Sequence, residues 1–193
     1  KVQRFAIGGN SLGGEVAWRT ALMAPQRVTR LILVDAAGLP SDGGTLPTGF
    51  VLARVPLLNR LFDSVLPRPM VVASLRHVYG DPAQVDAALV DRHYQLTLRE
   101  GNRRALVQRL QQAQRGEDAA RIQQLKLPTL ILWGGRDRLL PPAMAQRFHQ
   151  DIAGSTLVVF DDLGHVPQEE DPARTLRPVQ AFLQGDTVAP AKP

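Results

Sequence analysis

At 193 residues the chain is long enough to bury one sizeable core. It holds no cysteine, which excludes a disulfide scaffold and thiolate metal sites and favours a reducing, cytoplasmic compartment. No apolar run approaches the roughly 20 residues of a membrane helix. The formal charge of +5 is spread over scattered arginines with Arg103-Arg104 as the only adjacent pair, without the aromatic-interleaved basic stripe of a nucleic-acid binder.

The first element is a short apolar strand from Val2 to Ile7 that runs into Gly9-Asn10-Ser11-Leu12-Gly13. Glycines flanking a serine between strand and helix describe a sharp turn that lifts the hydroxyl over the sheet end. Gly9 and Gly13 are expected where strand and helix cross too closely for a Cβ. A helix follows over Glu15 to Ala24, stopped by Pro25, and then the unbroken apolar run Arg30 to Asp35. Together they make a βαβ unit.

From Gly38 to Gly116 the pattern is helical. Asp81-Pro82 predicts a helix start, with a capping carboxylate and a proline at the first helical position. Asn102 is a second candidate cap, opening a helix that buries Leu106, Val107, Leu110 and Ala113. The apolar stretch Phe50 to Phe62 is suited equally to lining an acyl pocket and to packing on the main body.

Two later strands carry chemistry. Leu127 to Trp133 ends in Gly134-Gly135-Arg136-Asp137, and Leu157 to Phe160 ends in Asp161-Asp162-Leu163-Gly164-His165. A serine hydroxyl needs a base to become a nucleophile at neutral pH, and the base needs an orienting carboxylate. In a parallel sheet the carboxyl ends of the strands share one side, so Ser11, Asp137 and His165 can converge there. Asp35, also after a strand, is the rival acid. His77, His93 and His149 lack metal-ligand spacing and read as surface or packing residues, so no metal is expected. Glu169, Glu170 and Asp171 read as the first turn of the last helix, opposing its dipole.

These three motifs, in the order Ser, Asp, His, resemble the α/β-hydrolase family: Gly-Asn-Ser-Leu-Gly-Gly at 9–14, Gly-Gly-Arg-Asp-Arg-Leu-Leu-Pro at 134–141, and Gly-His-Val-Pro-Gln-Glu-Glu-Asp-Pro at 164–172. The resemblance implies an α/β fold, a mostly parallel sheet flanked by helices with an inserted helical cap. It divides the chain into core at 1–37, cap at 38–116, core at 117–185 and a tail at 186–193. It also implies Ser11 as nucleophile, His165 as general base, Asp137 as its orienter and the Leu12 backbone N–H as one oxyanion donor. Leu139 and Val166, in the acid and histidine loops, are the candidate substrate contacts.

In the family the serine turn follows several earlier strands, one of whose loops supplies the second oxyanion donor, yet here the serine is residue 11. The chain therefore reads as the carboxyl-terminal part of the fold. Residues 2–7 are expected to form an open sheet edge, met by an amino-terminal segment or by self-association. A serine at the turn implies cleavage of an ester, thioester, amide or carbon–carbon bond of a small molecule, without a cofactor. Hydrolases of aromatic ring-fission products commonly carry tryptophan after the histidine. Here Val166 stands there, which favours an esterase-like reading, with carbon–carbon hydrolysis as the alternative. A non-catalytic binding protein on the same scaffold is the alternative of another class.

Overall fold

Four parallel strands in the order β1-β2-β3-β4 form the only sheet among the described residues. They are β1 (Phe5–Asn10), β2 (Val28–Val34), β3 (Thr129–Gly134) and β4 (Thr156–Phe160) in a computed structural model that describes residues 2–40, 44–46, 51, 65–112, 116 and 118–188. β1 is paired with β2 alone among those residues, and Asn10 lies opposite Val34. Each strand is joined to the next through helix, which is how parallel neighbours must be connected.

The helices are α1 (Leu12–Met23), α2 (Arg68–Val78), α3 (Ala87–Leu98), α4 (Asn102–Gln112), α5 (Ala143–Asp151), α6 (Pro167–Glu170) and α7 (Pro172–Gln184). Short 3₁₀ turns occupy Pro82–Gln84 and Ala119–Gln124. Alternation along the strands sends Leu31, Leu33, Ile131 and Trp133 into a core with Trp18 of α1 and Phe148 of α5. Leu130, Leu132, Val158 and Phe160 enter a second core with Phe182 of α7. Helices thus cover both faces, and every residue of β3 is buried. No helix among the described residues is long and apolar enough to cross a membrane.

Residues of α2 and α3 form a separate apolar cluster of Val71, Leu75, Tyr79 and Val90, against which Val166 of the histidine loop packs. Helix α4 is tied to α1 by Arg109, which reaches Glu15 at 2.8 Å. The helical insertion is therefore anchored to the core at both the histidine loop and the helix after Ser11.

Three local expectations are corrected. Asp81 caps only the 3₁₀ turn, by accepting from Ala83 N–H at 2.9 Å, while α3 starts five residues after Pro82 under Asp86, which accepts from Leu89 N–H at 2.8 Å. Asn102 is the first residue of α4 and donates to Leu96 O at 2.7 Å instead of capping; Val107 is buried, Leu106 is 36% exposed, and Ala113 lies outside the described residues. The stretch Phe50 to Phe62 lies outside them too, apart from Val51.

The third concerns the glycines. A Cβ on Gly9 would run into the backbone carbonyl of Gly13, but a Cβ on Gly13 itself would meet nothing within 4 Å. The second tight crossing is at Gly14, where a Cβ would lie 2.6 Å from that of Ala36. Gly9→Ala is therefore expected to destabilise by more than about 3 kcal/mol, and Gly13→Ala to be neutral or stabilising by up to about 1 kcal/mol. Urea midpoints of the two variants measure the difference, and equal losses would refute the assignment.

Candidate active site

β1 ends at Asn10, and α1 begins at Leu12, so Ser11 alone makes the turn. Its φ of 54° and ψ of −119° lie in a region that side chains rarely adopt. Backbone bonds hold it there: Ser11 N–H donates to Val34 O at 2.9 Å, and Ser11 O accepts from Ala37 N–H at 2.9 Å and Glu15 N–H at 3.1 Å. The Ser11 side chain makes no capping bond to α1. Strain of this kind costs of order 1–3 kcal/mol and persists where the surroundings over-determine it.

The acid and histidine come together at the same sheet edge. His165 Nδ1 lies 2.7 Å from Asp137 Oδ2, with both side chains almost fully buried. Asp137 Oδ1 accepts from Leu139 N–H at 2.8 Å and Leu140 N–H at 3.0 Å, which fixes the carboxylate rotamer. With the carboxylate as acceptor, Nδ1 carries the hydrogen and Nε2 is left as the basic nitrogen. Asn10 closes the arrangement, since its amide donates to His165 O at 2.9 Å and to Val34 O at 3.2 Å. The residue beside Ser11 is thereby bound to the histidine loop.

Further backbone anchors position that loop. His165 N–H donates to Val78 O at 2.8 Å. The Glu170 carboxylate accepts from Gly80 N–H at 2.7 Å and Gly164 N–H at 2.8 Å, bridging the end of the insertion and the residue before His165. Burial pushes the Glu170 carboxyl above its usual range, although those two N–H groups pull the other way. The expected first helical turn over Glu169 to Asp171 is corrected accordingly. Glu169 and Glu170 belong to α6, Glu169 pairs with Arg92 at 2.6 Å, and Asp171 caps α7 by accepting from Arg174 N–H at 3.0 Å.

The other candidates fall as follows. Leu12 is the first residue of α1, where backbone N–H groups have no intrahelical acceptor. Leu139 is half-buried and donates its N–H to Asp137, and Val166 packs against the Val71, Leu75, Tyr79 and Val90 cluster. His77 meets Thr45, at 3.1 Å from Oγ1 and 2.9 Å from O, and His149 Nδ1 lies 2.9 Å from Ser155 Oγ. Asp35 is fully buried at the end of β2 and offers an atom within 4.8 Å of one from Asp137 and one from His165. Asn10 and Glu170 were not anticipated as site residues. Asn10 was visible only as a polar residue in an otherwise apolar and glycine strand end.

The alpha/beta hydrolase fold family matches residues 1–172. The chain belongs to the α/β-hydrolase family. A protein of Mycobacterium tuberculosis is 33% identical over 210 residues, covering 99% of this chain and 58% of the relative. Lipase 3 of a Moraxella species is 27% identical, covering 93% of this chain and 56% of the lipase. Among solved α/β-hydrolases, the meta-cleavage product hydrolase CumD of Pseudomonas fluorescens is 26% identical with a TM-score of 0.76, over 95% of this chain and 66% of its own. The chain thus spans between about half and two thirds of the length of these relatives.

Proposed function

We propose that the protein is a serine hydrolase that cleaves a small, largely apolar ester or related carbonyl compound through an acyl-enzyme. The observation that carries this reading is the buried His165–Asp137 hydrogen bond of 2.7 Å, tied through Asn10 to the strained turn at Ser11. Ser11 Oγ attacks the carbonyl carbon while His165 Nε2 takes its proton, and the same proton is returned to the departing alcohol. Water, deprotonated by His165, then attacks the acyl-serine and releases the acid. Asp137 holds the imidazole in the correct tautomer and stabilises its cationic form. The Leu12 N–H stabilises the tetrahedral oxyanion, a contribution worth roughly 3–4 kcal/mol per donor. Leu139 and Val166 contribute apolar contacts to the substrate.

A likeness to CumD favours a second reading, hydrolysis of the carbon–carbon bond of a ring-fission product. The same acyl chemistry would serve it, and Val166 after the histidine weighs toward the ester. The reading also assigns a partner. Among the described residues β1 is paired on one side only, and its other edge is a template along which a further segment or a second copy would pair.

The test follows turnover by the protein on p-nitrophenyl butyrate and on a 2-hydroxy-6-oxo-dienoate. Multiple turnover on the ester supports the proposal. Turnover on the dienoate alone transfers it to carbon–carbon hydrolysis. A single slow turnover with retained product points to a binding protein.

A further inference from the structure

We propose that Asp35 is held as a neutral carboxylic acid that donates its Oδ2 hydrogen to the Asp137 carboxylate, so that an acid–carboxylate pair positions His165. The assignment of His165 as the base rests on the reading above, but the protonation of Asp35 does not. Asp35 is a positioning residue, acting through Asp137.

The two carboxyl groups are both buried and are served unequally. Asp137 accepts three hydrogens, from Leu139 N–H, Leu140 N–H and His165 Nδ1. Asp35 accepts one, from Gly134 N–H at 2.9 Å on Oδ1. Its Oδ2 is buried and accepts from no donor among the described residues. Two neighbouring buried carboxylates repel one another and are poorly solvated, so the pair retains a proton, and it resides on the oxygen that lacks a protein donor. Protonated, Oδ2 becomes the missing donor, and the group it can reach is Asp137.

The charged and titratable groups around Asp35 agree. Asp137 comes from the loop after β3, His165 from the loop after β4 and Glu170 from α6. Burial first, and then the charges of Asp137 and Glu170, push the Asp35 carboxyl well above its usual range, against the opposing pull of the Gly134 N–H. The backbone at Asp35 has φ at 42°, in the left-handed region that few residues other than glycine, asparagine and aspartate adopt. A donor at this place adds to the Leu139 and Leu140 N–H groups in fixing the Asp137 rotamer. It also keeps a second negative charge away from the imidazole.

Asparagine reproduces the arrangement, because its Oδ1 can accept from Gly134 and its Nδ2 can donate to Asp137. Asp35→Asn is therefore expected to keep kcat within about threefold and to leave the acid limb of the kcat/KM profile in place, whereas Asp35→Ala lowers kcat about ten- to a hundredfold with little change in KM. Two measurements need no activity. Infrared spectra at pH 7 should contain a protonated-carboxyl stretch that is lost in Asp35→Asn. The urea midpoint of wild type should fall relative to that of Asp35→Asn as pH rises above about 4, the range where unfolded Asp35 gives up a proton that folded Asp35 retains. The sign follows from a folded pKa raised above the unfolded one, so the contribution is complete at low pH and lost on the way up.

A pH-independent difference in midpoints, an absent acid band, or an acid limb moved to lower pH in Asp35→Asn each means that Asp35 is ionised, and overturns the proposal. An acid band and a falling midpoint in a protein that hydrolyses no ester keep the acid pair and remove the hydrolase reading.

Discussion

Ser11→Ala is expected to lower ester turnover about 10⁴- to 10⁶-fold and to abolish labelling by a fluorophosphonate probe. On the proposed mechanism the loss is large because serine, histidine and aspartate act as one unit, so removing the nucleophile forfeits nearly all that the three supply. What survives comes from binding and the oxyanion donors. The substitution is also clean. Ser11 makes no side-chain bond to α1, and alanine carries the same Cβ, so the turn at φ 54° is neither relieved nor further strained. Folding should be unchanged by circular dichroism. Labelling that persists in Ser11→Ala would show that another residue is the nucleophile.

The second large effect separates the two aspartates. Asp137→Asn should cost about 10⁴-fold in kcat. Leu139 and Leu140 N–H both point at Oδ1, so the amide must place its oxygen there and its nitrogen toward His165. A donor then faces Nδ1, the imidazole moves its hydrogen to Nε2, and the nitrogen that should accept the Ser11 proton is blocked. At Asp35 the same change works the other way. The Gly134 N–H draws the amide oxygen, and the amide nitrogen takes over the donation to Asp137. Steady-state kinetics of the two variants should therefore differ by at least about three orders of magnitude. Near-wild-type turnover in Asp137→Asn with inactivity in Asp35→Asn would move the catalytic acid to the end of β2.

Much of this site was legible because strand-ending motifs are local. An apolar run followed by a glycine turn and a reactive side chain states both the strand and the direction in which its last residue is delivered. Ser11, Asp137 and His165 each have that form, and parallel pairing brings the three strand ends to one edge. The helix starts were less legible, since Asp81-Pro82 and Asp86 both satisfy the local chemistry of a cap. Packing of Val90 against Val71, Leu75 and Tyr79 accompanies the later start.

By itself the sequence determined the strand ends, the order Ser, Asp, His and the family to which they belong, because each depends on a few contiguous residues. Tertiary structure alone decided what those residues meet. Gly13 and Gly14 are interchangeable on paper, and only the approach of Ala36 makes the second one necessary. Asn10 and Glu170 are ordinary polar residues until folding sets their side chains against His165 O, Gly80 N–H and Gly164 N–H. Asp35 and Asp137 looked like rivals for one role. Burial of both, with three donors on one and a single donor on the other, makes them partners, and that inequality exists only once β2, β3 and β4 lie side by side.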